Sequence, residues 1–187
     1  MRRFTTLVIC LLALALCAGS ALASTTPPPA DTLKIDYFSN ANTAGAPDGT
    51  VRITNPGTSG GNLWAAIYVF DPNQELTECC ECLLTPDGLR TLSVNSDLTG
   101  NPLTGVTLST GVIKTVSTTG VNAARLYPVA AIRSWGTHIQ NSNFAVTETA
   151  SQDATFSAAE QARLQAECAA IELDGSGKGI CSCGTGE

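Results

Sequence analysis

The residues with the most chemical potential in this chain are cysteines. Cys79-Cys80-Glu81-Cys82 packs three thiols into four residues, and Cys168, Cys181 and Cys183 follow near the other end. Thiolates two apart can bind a soft metal, and Cys79 and Cys82 have the C-x-x-C spacing of a redox pair. CC-x-C lacks zinc-finger spacing, however, and no βαβ pattern surrounds it. The leading reading is structural disulfides between the two clusters, with soft-metal binding or thiol redox chemistry as the alternative. Six thiols allow many connectivities, and spacing does not choose among them. Only a Cys79–Cys80 bridge is disfavoured, because its short ring strains disulfide geometry. A link between the clusters closes a loop on the order of 100 residues, worth roughly 4–5 kcal/mol in the chain-entropy model.

Other motifs carry less. Gly57-Thr58-Ser59-Gly60-Gly61 matches G-x-S-x-G, but it follows an Asn-Pro-Gly turn and enters a strand, where a nucleophile elbow leaves a strand and opens a helix. The base would have to be His138, the single histidine, which reads better as a strand residue. The glycine-rich stretch reads as a hairpin loop. Gly175-Ser176-Gly177-Lys178-Gly179 follows a predicted helix and lacks Ser or Thr after the lysine, so it reads as a linker and not a phosphate loop. Asp71, Asn73 and Glu75 alternate oxygen ligands as calcium loops do, without the central glycine; a strand-ending turn is the plainer account. No carboxylate pair stands out for glycoside hydrolysis. The sequence therefore assigns no catalytic residue and no cofactor.

The elements that position these residues begin with a leader. Arg2-Arg3, the apolar run Leu7–Leu16 and Ala21-Leu22-Ala23 predict a signal peptide over residues 1–23, cleaved after Ala23. Cys17 invites a lipoprotein reading, but the large Leu16 before it argues against lipidation. Residues 24–32, with three consecutive prolines, form a spacer. Residues 33–187 make a single domain. The mature chain carries eight Lys and Arg against 16 Asp and Glu. That surface repels phosphate backbones, so no nucleic acid is expected as a partner, and no stretch predicts a membrane span.

Within the domain, alternation or continuous apolar character predicts strands at Leu33–Ser39, Val51–Thr54, Asn62–Asp71, Leu89–Leu98 and Phe144–Thr149. Leu33, Ile35 and Tyr37 are expected to face inward, opposite Lys34 and Asp36. Asn62–Asp71 has so little polar alternation that both its faces should be covered, with Trp64, Tyr68 and Phe70 in the core. Val106–Leu108 and Val112–Val116 read as a strand pair around Gly111, and Leu126–Ile139 as a second apolar run carrying Trp135. Turn signals recur roughly every eight to twelve residues, the mark of an antiparallel sandwich. One helix is predicted over residues 157–173. Ser157 and Glu160 form its capping box, and Leu164, Cys168 and Ile171 share a face.

Cys79-Cys80-Glu81-Cys82, Thr85-Pro86-Asp87-Gly88-Leu89-Arg90-Thr91-Leu92-Ser93-Val94-Asn95, Asp97-Leu98-Thr99, Asn101-Pro102-Leu103-Thr104-Gly105 and Gly179-Ile180-Cys181-Ser182-Cys183-Gly184 together resemble uncharacterised secreted bacterial proteins. The resemblance implies secretion and cysteine bridging, and no activity. The expected fold is all-β: an antiparallel β-sandwich of roughly seven to nine strands with one C-terminal α-helix, stapled by disulfides. The expected function is a secreted, non-enzymatic structural or binding module of the cell envelope or extracellular space, with an unknown partner. A further alternative is a surface fibre that self-associates by donating the strand around Leu33–Tyr37 to a neighbour's sheet edge.

Overall fold

The computed structural model describes residues 32–140 and 142–184; the expected leader and nearly all of the spacer lie outside the described residues. Among the described residues nine strands form: β1 (Leu33–Ser39), β2 (Thr50–Thr54), β3 (Leu63–Phe70), β4 (Leu76–Leu84), β5 (Leu89–Ser93), β6 (Thr110–Thr118), β7 (Arg133–Gln140), β8 (Ala145–Ala150) and β9 (Gln152–Ala154). One α-helix follows, α1 (Ala158–Asp174). The strands lie in two antiparallel sheets, ordered β4-β3-β6-β1-β9 and β5-β2-β7-β8. This is the expected sandwich with a C-terminal helix.

The apolar strand β3 explains the layering. Leu63, Ala65, Ile67 and Val69 point into the core between the sheets, with Ile53, Leu92 and Ile132. Ala66, Tyr68 and Phe70 point the other way, into a second core with Leu164, Cys168 and Ile171 of α1. Both faces are covered, as the unbroken apolar run required. Burying two faces rather than one roughly doubles the apolar area a single strand contributes, at about 25 cal/mol per Å². Tyr68 and Phe70 are core residues, while Trp64 and Trp135 are only half-buried.

Helix α1 starts where its sequence says. Ser157 accepts a hydrogen bond from the Glu160 N–H, and Gly175 closes the other end at φ 66°. The reciprocal half of the capping box does not form. The Glu160 carboxylate turns to Lys114 on β6 and to Arg163, at 2.5 and 2.9 Å. These two cations hold its pKa below the usual range, the Arg163 hydrogen bond being the largest cause. Tertiary charge has outcompeted a local cap.

Several expectations are corrected. On β1 Leu33 is buried and Ile35 packs beside it in the helix-side core as expected, but Lys34 and Asp36 are hidden too, each 4% exposed, whereas Tyr37 is 50% exposed. On the sandwich-facing side Phe38 joins the core between the sheets, while Asp36 meets polar groups such as Ser151. Gly111 sits inside β6, not in a turn. A Cβ there would lie 2.2 Å from the Phe70 carbonyl and 2.7 Å from the Phe38 ring, so a glycine is required by packing. Val106–Leu108 is not a strand. The predicted strand over Leu89–Leu98 stops at Ser93, where one π-helical turn, Val94–Leu98, begins; Leu92 and Val94 are buried. Gly57–Gly61 is not a hairpin loop, because it carries the chain from β2 in one sheet to β3 in the other.

Candidate functional site

The cysteines converge on one edge of the sandwich. Strand β4, the outermost strand of the five-stranded sheet, carries Cys79, Cys80 and Cys82. Side chains alternate along a strand, so Cys79 faces the helix while Cys80 and Cys82 face the core between the sheets. Cys79 is bonded to Cys168 of α1, Cys80 to Cys181 and Cys82 to Cys183, with Cα–Cα distances of 5.9, 5.3 and 5.3 Å. All three link one cluster to the other.

The C-terminal tail runs parallel to β4 along its open edge. The Cys79 N–H donates to the Gly179 carbonyl at 2.8 Å, and the Cys181 N–H to the Cys79 carbonyl at 3.2 Å. One residue on, Ser182 bonds Asp97 of the π-helical turn twice, N–H to carbonyl at 2.9 Å and Oγ to Oδ1 at 2.6 Å. The tail is therefore a strap across the gap between the edges of the two sheets. It satisfies an edge that would otherwise invite pairing with another chain. Beneath it Glu78 is fully buried. Its Oε1 accepts the Asn101 N–H at 3.0 Å, while Oε2 has no partner. Burial pushes its pKa up to about 7, against the pull of the Asn101 hydrogen bond.

The three bridges differ in accessibility. Cys79 and Cys168 are 0% and 1% exposed, and Cys80 and Cys181 are 7% and 6% exposed. Cys183 is half-buried and borders an open cleft of about 520 Å³ shared with Asp97, Ser93 and Thr91.

At the other side of the sandwich is a polar corner that sequence reasoning missed. The chain passes from β8 in one sheet to β9 in the other through Ser151. Ser151 donates to Asp36 Oδ2 at 2.6 Å and shares a 2.6 Å hydrogen bond with Ser134 of β7. Desolvation raises the Asp36 pKa, opposed first by the Ser151 hydrogen bond and then by His138. Gly136 leaves room for the carboxylate, since a Cβ there would lie 2.5 Å from Asp36 Oδ1. His138, buried as a strand residue, stacks on Tyr37 with ring centroids 4.2 Å apart. Its Nδ1 lies 3.1 Å from the Tyr37 carbonyl and its Nε2 lies 2.9 Å from Thr149 Oγ1. A carbonyl only accepts, so Nδ1 carries a proton, and in the neutral ring Nε2 accepts from Thr149.

A hydroxyl on an imidazole is the contact that activates a nucleophile. Here that hydroxyl sits on β8, an edge strand exposed along its whole length. The contact ties β8 to β7 and β1, which is a structural task. Ser59 of the G-x-S-x-G stretch is not brought to His138: its hydroxyl bonds the nearby Gly61 carbonyl. The structure turns Asp71, Asn73 and Glu75 into the β3–β4 hairpin. Asp71 Oδ1 accepts the N–H groups of Asn73 and Glu75 at 2.8 and 2.9 Å, so its carboxylate organises the turn. The only clues to the polar corner were the Lys34–Asp36 alternation and a lone histidine.

The fold and its bridges define a disulfide-strapped, three-layer antiparallel β-sandwich. No family model matches the chain, and neither does any curated protein or solved structure.

Proposed function

We propose that this chain is a secreted, non-enzymatic structural or binding module of the cell envelope or extracellular space, made after removal of residues 1–23. The observation that carries the reading is that all six cysteines of the mature chain are paired, each pair tying β4 to the helix or the tail. Bridges of this number belong to an oxidising compartment. The acidic surface argues against nucleic acid as a partner, and no described helix is long and apolar enough to cross a membrane. Strand β1 is paired on both sides, with β6 and β9, which speaks against donating it to a neighbour.

The test is the intact mass of protein exported to an oxidising compartment, native and reduced, with thiol trapping. The expected result is three bridges' worth of missing hydrogens and no trapped thiol. Free thiols or a metal-sized increment in the native protein would overturn the reading.

A further inference from the structure

The two bridges under the strap are neighbours in space as well as in sequence. Cys80 and Cys82 lie two apart on β4, Cys181 and Cys183 two apart on the tail, and the two segments run parallel. All four side chains project to the same side, toward the core between the sheets. The sulfurs of Cys80, Cys82 and Cys183 all lie within 4.8 Å of one another, and Cys181 is bonded to Cys80. Four thiolates around a zinc ion at about 2.3 Å stand just under 4 Å apart; Cys80, Cys82 and Cys183 are already near that spacing, and opening of its bridge to Cys80 would free the Cys181 sulfur to turn in and complete the set.

We propose that Cys80, Cys82, Cys181 and Cys183 are, in the reduced protein, a four-thiolate site for zinc(II). A dithiol reductant opens the bridges. Each S–S bond takes two electrons and two protons, and each dithiol leaves as a disulfide. Zinc then displaces the four thiol protons, and all four sulfurs bind as thiolates.

Two features keep the site assembled once the bridges open. The first is Cys79–Cys168, on the opposite face of the sheet and almost inaccessible; it continues to join β4 to the helix from which the tail departs. The second is the backbone: Cys79 to Gly179, Cys181 to Cys79, and Ser182 to Asp97 hold the tail in register without help from sulfur. Opening should begin at Cys82–Cys183, because Cys183 borders the cleft. The freed Cys82 sulfur lies beside Cys80, within reach of the second bridge. Export to an oxidising compartment converts the same four sulfurs to two bridges, so metal and disulfides are alternative states of one cluster.

The experiment uses the full mature chain. It is reduced under nitrogen with graded dithiothreitol, freed of reductant, and offered zinc(II) or cobalt(II) alone. Each cysteine is then pulse-alkylated and mapped by peptide mass. The expected result is a species with Cys79–Cys168 still bonded and native near-ultraviolet dichroism. It should bind one metal per chain, show the charge-transfer bands of tetrahedral four-thiolate cobalt, and have Cys80, Cys82, Cys181 and Cys183 protected as a set. Cys82→Ser/Cys183→Ser should lose the four-thiolate spectrum while its Cys79–Cys168 bridge preserves the fold. The proposal is overturned by metal that protects none of the four, by protection that extends to Cys79 and Cys168 as an unfolded chain would show, or by simultaneous opening of all three bridges.

Discussion

The sandwich is closed on its two sides by different chemistry. On one side, β4 and the turn after β5 are bound together by a strap held with sulfur. On the other, β1, β7 and the β8–β9 kink meet through Asp36, Ser134, Ser151 and His138, with no covalent link. A disulfide acts mainly on the unfolded chain, whatever the pH, provided the medium is oxidising. A buried polar cluster acts in the folded state, and a charged or unpaired member is costly. One side is therefore sensitive to reductant and the other to packing and proton balance.

The largest effect that separates the two sides is reduction. The first bridge closes a loop of 89 residues, worth about 4–5 kcal/mol. With Cys79–Cys168 in place, Cys80–Cys181 adds only the ring through the end of α1 and the tail, about 3 kcal/mol, and Cys82–Cys183 a still smaller ring, about 2 kcal/mol. Reduction of all three should unfold the protein outright, since domains are stable by only about 5–15 kcal/mol. Loss of near-ultraviolet dichroism at full reduction is the readout. Survival of native dichroism with six free thiols would show that the corner and cores suffice alone.

Single bridges refine this. Cys79→Ala/Cys168→Ala should cost about 3 kcal/mol in urea unfolding, and Cys82→Ala/Cys183→Ala about 2 kcal/mol, because every remaining bridge still closes the long loop. Equal losses would mean that the strap gains its stability from burial rather than from ring closure.

The polar side is tested without touching sulfur. Gly136→Ala places a methyl 2.5 Å from Asp36 Oδ1. The carboxylate must move and loosen its bond to Ser151, at a cost of about 2 kcal/mol. Gly60→Ala serves as a contrast in free space, where only its positive φ of 72° is penalised. If Gly136→Ala unfolds at the wild-type urea concentration, the corner yields freely and does not close the sandwich.

The same division explains what the sequence made legible. Strand periodicity revealed β1, β2, β3 and β8, and the two-sided burial of β3, because apolar residues advertise the faces they bury. The cap at Ser157 and the stripe Leu164, Cys168, Ile171 located α1 and aimed Cys168 at the sheet. The clustered thiols pointed to links between the middle of the chain and its C-terminal end, although not to their pairing, which depends on the tail running parallel to β4. The polar corner was invisible because burial there inverts the usual signal: Lys34, Asp36 and His138 are inside while Tyr37 is outside. Strand β4 was obscured in the same way, as Glu78, Glu81 and three cysteines hide an ordinary alternation. Gly111 looks like a turn residue, yet it and Gly136 are each needed where a neighbour presses on the backbone.

The smallest effect is the one that depends on pH, and it connects the two sides. Glu78 under the strap and Asp36 in the corner are both buried carboxyls with raised pKa values. The Glu78 pKa rises from 4.5 to about 7 because of burial. Its stabilising proton is held by the folded state after the unfolded chain has lost its own. The contribution is thus complete below the unfolded pKa and disappears as pH rises through the folded one. As pH rises from 4.5 to 7 the protein should lose the stability this group contributes. Glu78→Gln keeps an acceptor for the Asn101 N–H and cannot ionise. It should match the wild type in urea unfolding near pH 4 and exceed it at pH 8. Asp36→Asn should remove a further, additive part of the pH dependence, because its carboxyl lies on the opposite side of the sandwich and is also raised by burial. If Glu78→Gln leaves the slope between pH 4.5 and 7 unchanged, the strap is wetter than its burial implies and the loss of stability with rising pH resides in the corner.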